Sequence, residues 1–109
     1  ASGLQGITKE HTRVYMQALD YTIADFIPCE LSGDRCNDVH YIYARGMGGS
    51  DLEDELYNRI ENLMGLTREL HTKYGDKEQY YDMLIEKHFE FLSANGVPYD
   101  KHFFEKWPK

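Results

Sequence analysis

Apolar positions along this chain follow two rhythms. Val14, Tyr15, Ala18 and Leu19 recur at helical spacing, so a helix is predicted over 8–19 with Thr8 as its N-cap. The stretch 23–28 is short and apolar, and Pro28 stops a helix from continuing through it. Ser32-Gly33-Asp34 signals a turn within 30–37. Residues 39–43 are β-branched and aromatic and read as a strand. The glycines between Gly46 and Asp54 predict a loop, and the acids that follow begin a polar connection. Residues 60–66 form a short extended or turn-rich apolar piece. Thr67 is placed to cap a helix over 68–74 that stops at Gly75. Asp76 with Gln79 forms a variant capping box. The helix after it carries Tyr81, Leu84, Ile85, His88 and Leu92 at spacings of three and four and ends at Asn95-Gly96. Asp100 is expected to cap a last short helix bearing Phe103, Phe104 and Trp107. There is no internal repeat, linker or low-complexity run, and the order of elements predicts a small α+β domain rich in helix.

Composition narrows the picture. At 109 residues the chain is expected to be a single domain, 1–109. With 41% hydrophobic and 14% aromatic residues it has the apolar content of a folded chain, with a core modest enough for a bound metal to add stability. Nineteen acids against twelve bases give −7, which repels a phosphate backbone overall. A nucleic-acid partner therefore requires a local cation, a metal or a basic protein partner. No apolar run approaches the roughly 20 residues of a membrane span, so no membrane association is expected. Residues 1–6 lack the basic and apolar regions of a signal peptide. Cys29 and Cys36 cannot alone supply a four-ligand zinc site and read as two free thiols of a reducing cytoplasm.

Candidate chemistry concentrates between Asp38 and His71. His40 falls on a predicted strand and His71 on a predicted helix, with Asn62 between them. Metal-assisted phosphodiester hydrolysis needs a divalent cation on the scissile phosphate and a base to take the proton of the attacking water. Two histidines from one strand–loop–strand–helix unit suit the cation and leave positions open for phosphate and water. The unit closes if the 43–59 connection returns the second strand beside the first.

The residues Cys29-Glu30-Leu31-Ser32-Gly33, Asp38-Val39-His40, Ile42, Arg45-Gly46-Met47-Gly48-Gly49, Asn62-Leu63, Leu66 and His71 stand in an order and spacing that resembles the HNH, or ββα-metal, endonucleases, especially small phage and bacterial members. The resemblance runs over 28–79, with 80–109 as a helical extension. It implies a ββα-metal unit flanked by N- and C-terminal helices. It implies His40 and His71 as ligands of one divalent ion (Mg²⁺, Mn²⁺, Zn²⁺ or Ni²⁺), Asn62 as the residue that ties the loop and orients the base, and Arg45 as a contact to DNA phosphate. It implies DNA as partner and a cytoplasmic setting in a bacterial host, with association with a virion as the alternative.

The sequence departs from that pattern twice. Ser32, Thr67 and Leu70 stand where many relatives carry zinc-binding cysteines, so no structural zinc is expected. Tyr41 stands at the general-base position, and a phenol with an ordinary pKa of about 10 is a poor proton acceptor at neutral pH. The resemblance therefore implies a metal-dependent DNA endonuclease impaired at Tyr41. The alternative is an HNH-derived binding or structural protein that no longer cuts, such as a phage particle or packaging component.

Plainer roles are open to several of these residues. Asn62 also fits a simple turn role, and Arg45 also fits pairing with Asp51, Glu53, Asp54 or Glu55. Asp76 is an N-cap before it is a third ligand, and His88 and His102 read as packing or surface residues. The stripe Tyr80, Tyr81, Phe89, Phe91, Phe103, Phe104 and Trp107 reads as core, or as a surface for a protein partner or self-association. It lacks the interleaved Lys and Arg of a base-stacking platform.

Overall fold

In the computed structural model the residues described are 4–44 and 54–106. They form a small α+β domain. Its elements are α1 (Glu10–Ala18), β1 (Asp38–Tyr41), α2 (Asp54–Tyr57), β2 (Leu63–Leu66), α3 (Arg68–Tyr74) and α4 (Tyr81–Ala94), with 3-10 turns at Ile60–Asn62, Glu78–Tyr80 and Phe103–Lys106. Among the described residues no helix is long and apolar enough to cross a membrane.

The strands are antiparallel, with Asp38 opposite Leu66, Val39 opposite Gly65, His40 opposite Met64 and Tyr41 opposite Leu63. All four residues of β2 are buried, because the hairpin is covered on both faces. On one face Val39 and Leu63 pack with Tyr15 and Met16 of α1, and with Ile27 and Cys36. On the other, Met64 and Leu66 pack with Ile42, Tyr43, Tyr57, Leu84, Phe103 and Phe104. Strand alternation thus sorts adjacent residues to opposite layers. Asp38 and His40 belong to the face toward α3, and Val39 and Tyr41 to the face toward α1.

Several local expectations need correction. Helix α1 begins at Glu10 rather than at residue 8, and Lys9, not Thr8, holds the N-cap position with no side-chain cap bond. The acidic stretch after the glycine-rich sequence, expected as a polar connection, forms the single turn of α2 at Asp54–Tyr57. Asp76 caps nothing: it adopts a left-handed φ of 58°, and the next helix is entered through the 3-10 turn Glu78–Tyr80 without a side-chain cap. The last element is a 3-10 turn, preceded by Asp100 Oδ1 accepting from the His102 amide at 2.9 Å. Trp107 lies outside the described residues. Around α3 the expectation holds, since the Thr67 hydroxyl accepts from the Leu70 amide at 3.1 Å and the helix stops before Gly75.

A buried polar network binds the layers together. The Glu30 side chain, fully buried, accepts from Tyr15 Oη at 2.6 Å and the Gly65 amide at 3.0 Å, and pairs with His88 Nδ1 at 2.6 Å. His88 Nε2 in turn lies 2.7 Å from the Ile60 carbonyl oxygen. Both ring nitrogens of His88 thus face oxygens, Glu30 Oε1 and the Ile60 carbonyl, and the ring is fixed at both ends. Glycine at 65 makes the Tyr15 contact possible: a Cβ there would fall 2.7 Å from the Tyr15 hydroxyl. Burial, then the Glu30 carboxylate, push the Tyr15 phenol well above its usual range, so it stays a donor.

Candidate metal centre

His40 projects from the middle of β1 toward α3 and is 3% exposed. His71 stands in the middle of α3, and the two ring centroids lie 4.6 Å apart with planes inclined by 54°. The capped start of α3 sets this approach, since α3 follows β2 after the single residue Thr67. Its end is held close by Gly75, whose amide donates to the His71 carbonyl at 2.8 Å. A Cβ on Gly75 would collide with that carbonyl oxygen and fall 2.7 Å from the His71 ring and 3.2 Å from His40 Cε1. Gly75 itself has an ordinary negative φ, so it is needed here for close approach rather than for a left-handed turn.

His40 Nε2 is buried and has no hydrogen-bond partner. An orphaned buried ring nitrogen costs free energy unless something occupies it. Burial first, then the neighbouring His71, lower the pKa of His40 to about 4, with Asp76 and Asp38 opposing. The imidazole is therefore neutral at pH 7, the form in which histidine ligates metals. His71 is one-third exposed, and its Nδ1 lies 3.2 Å from Asp38 Oδ2. Asp38 is also gripped by Arg68, whose Nε and Nη2 lie 2.7 and 2.9 Å from its two oxygens. The Arg68 hydrogen bonds hold the Asp38 carboxyl below the usual carboxylate range, assisted by His71 and opposed by burial. An open cleft of about 370 Å³ lies against this group, lined by Asp38, Arg68, His71, Thr72, Gly75 and Asp76.

These donors fit a borderline divalent ion bound by two imidazoles, with other positions left for water or phosphate. Among the described residues no group of three or more His, Cys, Asp or Glu side chains converges as a ligand set, so Asp76 is not brought in as a third ligand. The thiols do not join this site. Cys29 and Cys36 are free and buried, and burial pushes the Cys36 thiol up to about 12.

Asn62 is fully buried and its amide is fully used. Oδ1 accepts from the Tyr43 amide at 2.6 Å, and Nδ2 donates to the carbonyls of Tyr43 and Tyr57 at 3.0 Å each. It clasps the segment just past β1 to the end of α2, tying the connection at its two ends. All three of these partners are backbone groups, so any influence on residue 41 passes through the chain that follows β1. Arg45 and the Gly46–Gly49 run lie outside the described residues.

Tyr41 faces the opposite layer from His40. Its hydroxyl donates to Asn58 Oδ1 at 2.8 Å, and its ring lies 4.7 Å from that of His11 on α1. Burial, then Lys9, lower the pKa of His11, opposed by its hydrogen bond to the Val39 backbone. Nothing in the spacing of α1 distinguishes His11 from a solvent-facing residue. Asp38 and Arg68 lie within the motif, two residues before His40 and three before His71, and that placement is the signal that marks them.

No protein-family model, no curated protein and no solved structure matches this chain.

Proposed function

We propose that the chain is a metal-dependent DNA endonuclease of the HNH type, slowed at the proton-abstraction step by Tyr41. The observation that carries the reading is the facing pair His40–His71: His40 has a buried, unpartnered Nε2, and His71 lines an open cleft. A divalent ion held there would neutralise the scissile phosphate and stabilise the departing 3′ oxygen. His40 and His71 would hold it through their imidazole nitrogens. Asn62 ties Tyr43 to Tyr57, on either side of the sequence that includes Arg45, the implied phosphate contact. Arg68 at the cleft has its charge balanced by Asp38, so the cation that a −7 chain needs against phosphate falls to the metal ion and to Arg45.

Tyr41 fills the base position poorly: its side chain lies in the layer opposite to His40, against His11 and Asn58, so a base at residue 41 reaches a water on the cation only by turning toward the α3 face. Its hydroxyl hydrogen is directed at Asn58, and accepting a proton from water would require a phenolate near neutral pH. General-base catalysis contributes about 10²–10⁴-fold. The expected result in a plasmid-nicking assay with Mn²⁺ or Mg²⁺ is that Tyr41→His raises the rate by at least about 100-fold over the wild type. Equal, vigorous nicking by both would refute the role given to residue 41.

The tethered Tyr41 side chain also favours a second reading: an HNH-derived protein that binds or builds without cutting, as in a phage particle or packaging assembly. The aromatic groove of about 520 Å³ along α4, lined by Tyr81, Ile85, Phe89 and Phe104, is then its interaction surface. That reading predicts a stable protein complex and no salt-sensitive binding to DNA.

A further inference from the structure

We propose that Asp38 is a positioning residue for the metal pair: it fixes the tautomer and ring orientation of His71, so that His71 Nε2 is the nitrogen offered to a divalent cation. This rests on the reading of His40 and His71 as ligands. The inference comes from hydrogen-bond inventory. An ionised carboxylate accepts and cannot donate, so the 3.2 Å approach of Asp38 Oδ2 to His71 Nδ1 places the hydrogen on Nδ1. In a neutral imidazole the lone pair then lies on Nε2. Arg68 completes the device from the far side. Its fork occupies both Asp38 oxygens, at 2.7 Å to Oδ2 and 2.9 Å to Oδ1, which holds the carboxylate plane still and ionised.

Asp38 reaches both partners because of where the register puts it. It opens β1 opposite Leu66, the last residue of β2, and α3 begins two residues later with Arg68. The Arg68 amide is held to the same corner by Asn37 Oδ1 at 2.8 Å. Strand start and helix start are thus joined by one carboxylate, and His71 lies one turn up the helix from Arg68. Carboxylate–histidine pairs of this kind raise ligand basicity and orient the ring, and their removal typically weakens metal affinity by about 10–100-fold.

The test uses the full chain and two readouts. Long-range ¹H–¹⁵N spectra of the metal-free protein report the His71 tautomer, and calorimetric titration with Zn²⁺ reports affinity. The expected result is a wild-type His71 protonated at Nδ1. Asp38→Asn should shift population toward the Nε2–H form and weaken Zn²⁺ about 10–100-fold, with Asp38→Glu restoring part of both. Urea unfolding of each variant separates this from loss of fold, and Arg68→Ala should show a smaller effect of the same sign. A wild-type His71 protonated at Nε2, or Asp38→Asn binding Zn²⁺ as tightly as wild type, overturns the role of Asp38 and leaves the metal pair standing. A wild type that takes up no Zn²⁺ while His71 is still protonated at Nδ1 overturns the metal reading instead, and the ligand-presenting role of Asp38 with it.

Discussion

A histidine buried with one nitrogen unpartnered makes the domain sensitive to acid over a defined window. His40 takes up its proton near pH 6.5 in the unfolded chain, but near pH 4 in the fold. Its folded pKa is depressed, so its contribution to stability is complete above about 6.5 and drains away as the pH falls toward 4. Below 4 both states are protonated and nothing further is lost. A separation of about 2.5 units corresponds to about 3 kcal/mol in full, and roughly 2.5 kcal/mol of this is gone by pH 4.5. Burial is the main cause of that depression, and the neighbouring His71, its ring 4.6 Å away, is the second. The assay is urea unfolding in EDTA at pH 7.5, 6.0, 5.0 and 4.5, for the wild type and for His40→Asn, which keeps a polar side chain but does not titrate. The wild type should lose roughly 2.5 kcal/mol more than the variant across that range. Parallel stability curves for the two proteins would refute the reasoning, because they would mean that His40 charges freely in the fold.

Two further perturbations probe the supports of the site. Glu30→Gln keeps the shape of a fully buried side chain but leaves the His88 ring without its carboxylate, so it should cost about 3–5 kcal/mol in urea unfolding. A loss below about 1 kcal/mol would show that the pair is not ionic. Asn62→Asp removes the donors to the Tyr43 and Tyr57 carbonyls and sets a carboxylate against both, for a loss of about 3 kcal/mol. Amide exchange at Tyr43 should accelerate in parallel, and unchanged protection there would contradict the clasp.

Much of the architecture was legible where chemistry is local. Thr67 and the helix after it, the strand through His40, and the apolar spacing of α4 follow from capping, β-branching and 3.6-residue periodicity. The return of β2 beside β1 was a condition in the sequence and is an observed register in the fold. What stayed hidden was long-range. Glu30 and His88 lie 58 positions apart, and nothing in either neighbourhood marks the pair. Asp76 carried a capping signal, but its backbone takes a left-handed conformation and the next helix is entered through a 3-10 turn. At the site, the histidine pair and Asn62 were readable from type and spacing. The partners of Asp38 and the tethering of Tyr41 by Asn58 were not, because both depend on which strand face meets which helix.

The central claim is that His40 and His71 form one divalent-ion site, and the most direct measurement is a Zn²⁺ titration of ¹⁵N-histidine-labelled protein. The chain has five histidines, so each ring can be followed. The account predicts that one equivalent of Zn²⁺ moves the Nε2 resonances of His40 and His71 together and leaves His11, His88 and His102 in place. Saturating Zn²⁺ that leaves His40 and His71 unmoved, or that shifts the other histidines instead, would contradict it.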